Sequence, residues 1–341
     1  MSRLSETLRA RRPLIVLLGP TAAGKSRIAV QVAKRFDTEV LAADSRQVYR
    51  GMDIGTDKPT AEERQGVPHR LIDLADPDQA FNTGRYRQAA LVEIDRLYAT
   101  RQLPFVVGGT GLYIRTLVRG LCVAPPTNPL VRSGLMKISK EQGRDLLYAE
   151  LVRVDPDTAA RLHPNDEAKV MRALEVYRLS GQPLSTWHRQ HGFQGAAFAA
   201  LLIGLQRPRE VLYRRIEERI DWQLAHGMIE ETRALLARGY ERYLGAMKGL
   251  GYRQVAAHLA GEYDYAEMVR RFKRDTRHFG KRQMTWFRKE AGIAWVSIEE
   301  NEPLEPVVDR VVTLINQFLG SLERAAQLGV MQETVLGERS V

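Results

Sequence analysis

The sequence predicts an α/β fold: a parallel sheet flanked by helices and interrupted by a mainly helical insertion. Three observations carry this. Short apolar runs alternate with amphipathic helical stretches through the first third of the chain. The first run passes into a helix through a glycine-rich turn that ends in lysine and serine. Pro125, Pro126 and Pro129 then mark a boundary, beyond which the helical pieces are short until an apolar run returns near Phe198.

Taken in order, Leu14–Leu18 is apolar throughout and ends at Gly19, the pattern of a buried parallel strand. Ser26–Phe36 follows with Ile28, Ala29, Val32, Ala33 and Phe36 on one helical face. A second strand, Glu39–Ala43, ends at Asp44. The polar stretch from Ser45 to Pro68 holds too many Gly and Pro for one helix. Thr83–Tyr98 is helical, with Tyr86, Ala90, Ile94 and Leu97 aligned, and Pro104–Val107 is a third strand ending in Gly108-Gly109. In such sheets ligands sit at the carboxyl ends of the strands, where Gly19, Asp44 and Gly108 all fall.

Beyond the proline boundary, Asn165–Ser180 is the clearest helix, stopped by Gly181 with Pro183 following. Phe198–Leu205 returns to strand character. Glu210–Gly239 and Ala266–Lys289 are long basic helical stretches, Ile293–Ile298 is a last strand, and from Gln327 little pattern remains. The organisation expected is a core in two segments, residues 1–122 and 199–320, separated by an insertion, residues 123–198, and followed by a tail, residues 321–341.

The 341 residues suffice for one large core or two modest ones, and the formal charge of +10 points to a polyanionic partner. A single cysteine, Cys122, excludes an internal disulfide and a cysteine-rich zinc site and fits a reducing compartment. The longest apolar run, Ala196–Leu205, is too short to span a bilayer, so a cytoplasmic protein without a membrane partner is expected. A monomer is the default expectation.

Gly19-Pro20-Thr21-Ala22-Ala23-Gly24-Lys25-Ser26 fits G-x-x-x-x-G-K-[ST] between a strand and a helix, the context that the motif requires. It makes the fold P-loop NTPase-like. Glycines let backbone amides wrap a phosphate, the helix N-terminus adds partial positive charge, Lys25 adds a mobile full charge, and the Ser26 hydroxyl suits Mg²⁺. The motif specifies a polyphosphate without saying which. No carboxylate follows the third strand; Asp44 at the end of the second faces the P-loop instead. It is read as a base or metal ligand, with a turn-capping role as the alternative.

These residues resemble the tRNA dimethylallyltransferases (isopentenyltransferases) of bacterial type, over about residues 13 to 320. The P-loop opens Gly-Pro-Thr-Ala. Asp44-Ser45-Arg46-Gln47-Val48-Tyr49, Gly51-Met-Asp-Ile-Gly-Thr-Asp-Lys-Pro59, Pro68-His69-Arg70 and Gly108-Gly-Thr-Gly-Leu-Tyr113 follow in the family's order. His163-Pro-Asn-Asp166, Arg172-Ala-Leu-Glu175, Gly251-Tyr-Arg-Gln254 and Lys281-Arg-Gln-Met-Thr-Trp-Phe-Arg288 complete the set. Departures are small: Ala23, Ser26 where Thr is common, and Lys169 where Arg is usual, which keeps the charge but loses bidentate bonding.

The resemblance implies transfer of a dimethylallyl group from dimethylallyl pyrophosphate to the exocyclic amine of the adenosine 3′ of the anticodon in tRNA. Asp44 is then the base that accepts the amine's proton, Thr21 and the rest of the P-loop hold the pyrophosphate with Mg²⁺, and Thr110 lies near the adenosine. The further cation proposed at the pyrophosphate is Arg219, with a solvated helix-face arginine as the alternative. The anticodon stem-loop is expected against Asp44, Ser45, Arg46, Gln47 and Thr110, with Arg132 nearby. In the insertion it meets Ala168, Lys169, Val170, Met171 and Arg172; beyond it, the turn Lys248, Gly249, Leu250, Gly251, Tyr252 and Arg253. Gln47 carries the donor and acceptor suited to an adenine edge.

Independent support for a nucleic acid comes from Arg270–Lys289, with nine Lys or Arg against one acid, Asp275. Phe272, Phe279 and Trp286 recur there every seven residues and are read as core packing. His69 and His163 lack partners at metal-ligand spacing. Three other readings share the P-loop: a small-molecule kinase, an isopentenyltransferase acting on free adenine nucleotides, and a nucleic-acid-binding NTPase switch. The kinase would not need the basic C-terminal helices, and the switch lacks its acid on the third strand.

Overall fold

The structure is a computed structural model and describes residues 3–122, 124–191 and 198–337. Val123, where the insertion is expected to begin, the first two residues of the run Ala196–Leu205 and the last four of the tail lie outside them. The elements run α1 (Glu6–Ala10), β1 (Pro13–Leu18), α2 (Lys25–Phe36), β2 (Val40–Ala43), α3 (Ala61–Arg64), β3 (His69–Arg70), α4 (Thr83–Ala99), β4 (Phe105–Gly108) and α5 (Gly111–Arg119). Then come α6 (Pro129–Gln142), α7 (Arg144–Val154), α8 (Pro156–Ala159), α9 (Glu167–Ser180) and α10 (Leu184–His191). The chain closes with β5 (Ala199–Gln206), α11 (Arg209–Ala225), α12 (Met228–Ala237), α13 (Tyr252–Leu259), α14 (Tyr265–Arg288), β6 (Ile293–Ser297) and α15 (Leu304–Gly337).

Among the described residues six strands form one sheet, all parallel, in the order β3-β2-β4-β1-β5-β6. Every residue of β1, β2 and β4 is buried, which explains why they read as unbroken apolar runs. The chain leaves β1 towards β2 on one side and returns as β5 on the other, so a crevice opens at the carboxyl end of β1. Helices α2 and α4 bury the faces expected from their periodicity, Ile28, Ala29, Val32, Ala33 and Phe36 on one and Tyr86, Ala90, Ile94 and Leu97 on the other.

The helical stretch Glu210–Gly239 is two helices, because Gly227 turns the chain with a φ of 102° between α11 and α12. The two-residue strand β3 and helix α13 are too short to carry a periodic signal. The patternless end from Gln327 continues α15 as far as Gly337. No helix among the described residues is long and apolar enough to cross a membrane.

Two compact units result, 1–118 with 198–341 and 119–197. The first holds the sheet, its core and a second apolar cluster around Val48, Met52, Met228, Met247, Tyr252 and Met268. The second is built on Leu135, Leu147, Leu151, Val170 and Leu174 of α6, α7 and α9. Within it Glu175 is buried and accepts hydrogen bonds from the Asn128 amide at 2.8 Å and from Arg172 at 2.9 Å, tying the start of α6 to α9.

Candidate active site

The P-loop leaves β1 at Gly19 and enters α2 at Lys25. Ala22 takes a φ of 63°, a left-handed conformation that costs an L-residue about 1–2 kcal/mol. Two arginines hold the loop by its carbonyls: Arg215 Nε donates to Ala22 O at 3.0 Å and Arg207 Nε to Ala23 O at 3.1 Å. Lys25 folds across the turn, its Nζ donating to Gly19 O at 3.0 Å and Pro20 O at 2.8 Å. Burial pushes the Lys25 ammonium down from 10.5 to about 8, against the opposing pull of Asp44 and with the help of Arg219.

A cavity of about 410 Å³ opens on this loop, lined by Thr21, Ala22, Gly24, Lys25 and Ser26. Arg27, Arg215 and Arg219 bring further positive charge to it, and Asp44, Asp57, Glu63 and Glu218 oppose them. A second cavity, of about 300 Å³, is lined by Ser45, Arg46, Thr110, Gln223, the turn at Lys248–Arg253 and Arg282. The two share one wall: Thr21, Asp44, Thr56, Arg219 and Phe279 line both. A polyphosphate in the first and a flat polar group in the second would meet at that wall.

Asp44 has the turn-capping role weighed for it. Its Oδ1 accepts the Arg46 amide at 2.7 Å, which caps the turn after β2, while Oδ2 has no partner among the described residues. Thr110 is held by the Ala43 carbonyl through its amide at 3.1 Å and accepts the Ser45 amide at Oγ1 at 3.0 Å, so the ends of β2 and β4 are joined. Arg219 is not a solvated helix-face residue. Its side chain is 21% exposed, Nη1 pairs with Asp57 at 3.0 Å, and its buried Nε has no partner. An unpaired buried guanidinium nitrogen at a cavity wall suits an anion.

Gln47 lines the P-loop cavity rather than the second one, and its Nε2 is turned to the carbonyls of Thr56 and Asp57 at 3.3 and 3.1 Å. Its donor is therefore engaged in this conformation, while Oε1 has no partner among the described residues. Arg46 reaches the Gly245 carbonyl at 2.8 Å. Lys248, Gly249, Leu250, Tyr252 and Arg253 line the second cavity, and the Gly251 amide is satisfied by Gln254 at 2.9 Å. In the second unit the five-residue stretch 168–172 is not uniformly available. Val170 and Met171 are buried in that unit's core, Ala168 and Lys169 are exposed, and Arg172 bonds Glu175 and the Pro125 carbonyl. Arg132 on α6 has no ion pair among the described residues.

Ser26 Oγ lines the P-loop cavity without a hydrogen-bond partner among the described residues. No group of three His, Cys, Asp or Glu among those residues could cage a metal. One hydroxyl and a free carboxylate oxygen fit a hard cation that takes most of its ligands from a bound polyphosphate and water.

Two readings of α14 change. Phe272 is buried as expected and Trp286, half-buried beneath the Arg115 guanidinium 4.2 Å from its ring centre, packs against the sheet's core, but Phe279 faces the shared wall. The basic run is also less free than its composition suggests. Arg270 and Arg271 pair with Glu267, Lys273 with Asp221, Arg274 with Asp275 and Arg277 with Glu217. Lys281, Arg282, Arg288 and Lys289 keep no ion pair among the described residues. Apart from Asp275, the acids that neutralise the first half lie on α11 and in the first turn of α14, outside that stretch. Asp57 and Arg215 line the P-loop cavity without being singled out in the sequence, and Phe279, read there as core packing, lines both cavities. Asp57 stands in a quoted motif, but nothing in its spacing shows that it meets Arg219, 162 positions away.

The family model described as IPP transferase matches residues 47–290. The chain is 47% identical over 288 residues to tRNA dimethylallyltransferase 2 of Geotalea uraniireducens, covering 84% of this chain and 93% of that one. It is 47% identical over 292 residues to the tRNA dimethylallyltransferase of Syntrophobacter fumaroxidans, covering 86% and 85%. Among solved structures it is similar to the full-length tRNA isopentenylpyrophosphate transferase of Bacillus halodurans, with a TM-score of 0.70, 34% identity and coverage of 93% and 99%. A eukaryotic dimethylallyltransferase acting on tRNA superposes with a TM-score of 0.77 at 26% identity, covering 91% and 80%.

Proposed function

The chain belongs to the tRNA dimethylallyltransferase family, and from that premise we propose how its two cavities carry out the transfer. It is a prenyltransferase that modifies tRNA. The donor is dimethylallyl pyrophosphate, with its pyrophosphate in the P-loop cavity. The acceptor is the exocyclic amine of the adenosine 3′ of the anticodon, held in the second cavity. The observation that carries this reading is the wall shared by the two, where Asp44 stands between a polyphosphate loop and a cavity rimmed by Arg46, Lys248, Arg253 and Arg282.

The amine's nitrogen attacks the first carbon of the dimethylallyl chain as the carbon–oxygen bond to pyrophosphate breaks. Its lone pair is delocalised into the ring, so it is a poor nucleophile, and it becomes acidic as the new bond forms. Asp44 Oδ2, without a partner among the described residues, takes the proton. Asp44 keeps its aim because Oδ1 is fixed by the Arg46 amide. Thr110, tied to Ser45, holds the strand end against which the adenosine lies. The charge that grows on the leaving pyrophosphate meets the P-loop amides, Lys25 and Arg219. Ser26 would hold Mg²⁺, whose charge neutralises pyrophosphate oxygens when it is bound.

An adenine stacked in a helix could not reach a carboxylate at a strand end, whereas a loop base can be splayed out. Arg132, Lys169 and Arg172 of the second unit supply further contacts to the anticodon stem-loop. Both cavities are lined by one chain, so a cytoplasmic monomer suffices. The test is transfer of labelled dimethylallyl from its pyrophosphate, with Mg²⁺, to unmodified tRNA, with AMP and ATP as rival acceptors. Label on tRNA alone is expected. Label on a free nucleotide, or on no acceptor, overturns the reading.

A further inference from the structure

The buried face of α14 consists of Met268, Phe272, Thr276, Gly280, Gln283 and Phe287. Gln283 is the member of that face with a carboxamide, and its residue is only 8% exposed. A buried amide is costly unless both of its ends are satisfied. Here they are. Oε1 accepts the Thr21 backbone N–H at 2.8 Å, and Nε2 donates to the Gly109 carbonyl at 2.9 Å. Those partners lie 262 and 174 positions away, on the P-loop after β1 and on the turn after β4. Gln283 lines neither cavity.

Both partners are backbone groups, so the amide can sit only one way round. Gly109 immediately precedes Thr110, whose Oγ1 holds the Ser45 amide beside Asp44. Hydrogen bonds, continued through the Gly109–Thr110 peptide link, therefore join the loop that binds the donor to the turn that carries the base. The fit is tight: a Cβ on Gly109 would lie 2.5 Å from Gln283 Nε2 and 3.3 Å from the Gly19 carbonyl. The bond also turns the Thr21 N–H onto the strut, away from the set of amides available to the pyrophosphate.

We propose that Gln283 is a positioning residue for the transfer: it sets the separation between the P-loop and the β4 end, and so the approach of the donor carbon to the acceptor nitrogen. The inference rests on the transfer reaction proposed above. A misplacement of about 1 Å between reacting groups costs on the order of 100-fold in rate. Gln283→Met keeps the volume and removes both bonds. Gln283→Glu keeps the acceptor for Thr21 but sets a carboxylate oxygen against the Gly109 carbonyl.

The test is single-turnover transfer with tRNA and dimethylallyl pyrophosphate both saturating, together with separate equilibrium affinities for the two substrates. The expected result for Gln283→Met and Gln283→Glu is a rate constant lower by about 100-fold, with each affinity within about threefold of the parent. A merely structural role would reduce the amplitude, as the folded fraction falls, and leave the rate constant of the remaining enzyme unchanged; that outcome overturns the proposal. So does a loss that appears wholly in substrate affinity. Gly109→Ala, which displaces Nε2, should lower the rate constant likewise and show no further loss when combined with Gln283→Met. Independent, multiplying losses would overturn the strut. Absence of transfer by the parent enzyme refutes the reaction itself, whereas normal transfer by Gln283→Met refutes only the positioning role.

Discussion

Glu231→Ala probes how the loop Asp53–Asp57 is held at the site. Glu231 stands on α12, and its carboxylate accepts the backbone amides of Asp53 at 3.0 Å, Ile54 at 2.8 Å and Gly55 at 3.2 Å. It also accepts the hydroxyl of the buried Tyr252, whose phenol burial pushes far above its ordinary range. The Tyr252 ring lies under Gly55 so closely that a Cβ there would be 2.6 Å from it. One carboxylate thus ties together the loop that presents Thr56 and Asp57 and the turn that presents Lys248–Arg253. Removing it leaves four donors without an acceptor. The Asp53 amide is exposed and water replaces its bond; the other three are partly buried, at about 1–2 kcal/mol each. The expected loss is about 3–6 kcal/mol, read as a lower urea midpoint at unchanged m-value in the first unit's tryptophan fluorescence. Tyr252→Phe should lose about 1–2 kcal/mol, and the double variant should lose less than the sum. A loss under about 1 kcal/mol for Glu231→Ala, or strict additivity with Tyr252→Phe, would refute the reasoning.

Asp44→Ala should abolish turnover with little change in tRNA affinity, because Asp44 lines the second cavity with one oxygen unpartnered among the described residues; a near-parental single-turnover rate would defeat this. Lys25 has a folded pKa of about 8, below its unfolded value of 10.5, so the unfolded chain holds more protons between those values. Its penalty on folding is present in full below pH 8 and is lost as pH rises towards 10.5, so the urea midpoint of the ligand-free protein should rise across that window relative to Lys25→Met; parallel pH profiles would count against it. Charge reversal at Lys281 and Arg282, which keep no ion pair among the described residues, should weaken tRNA binding and flatten its salt dependence by about 0.7–0.9 per lost phosphate contact. Reversal at Arg277, already paired with Glu217, should change the slope less. Equal slopes for the two would return that face to ordinary solvation.

Much of this molecule was legible in one dimension. The P-loop, Asp44 and Thr110 are strand-end residues, and an apolar run that stops at a glycine or aspartate announces itself in any window of a few residues. The same locality made the faces of α2 and α4 readable, because helical periodicity depends only on neighbours three and four positions apart. Where a role depended on a partner far along the chain, the sequence was silent. Val170 and Met171 sit in a recognisable motif, yet their burial follows from packing against α6 and α7. The run Arg270–Lys289 looks uniformly basic until Glu217 and Asp221 of α11 are laid against it. Arg219 could not be told from a solvated arginine until Asp57 and the wall between the cavities surrounded it. Local order thus determined the sheet, the anion loop and the candidate base. Only the tertiary structure decided which charges remain free, which glutamine spans two loops and which carboxylate holds them, because those are meetings of side chains brought together by the folded core and by nothing in their spacing.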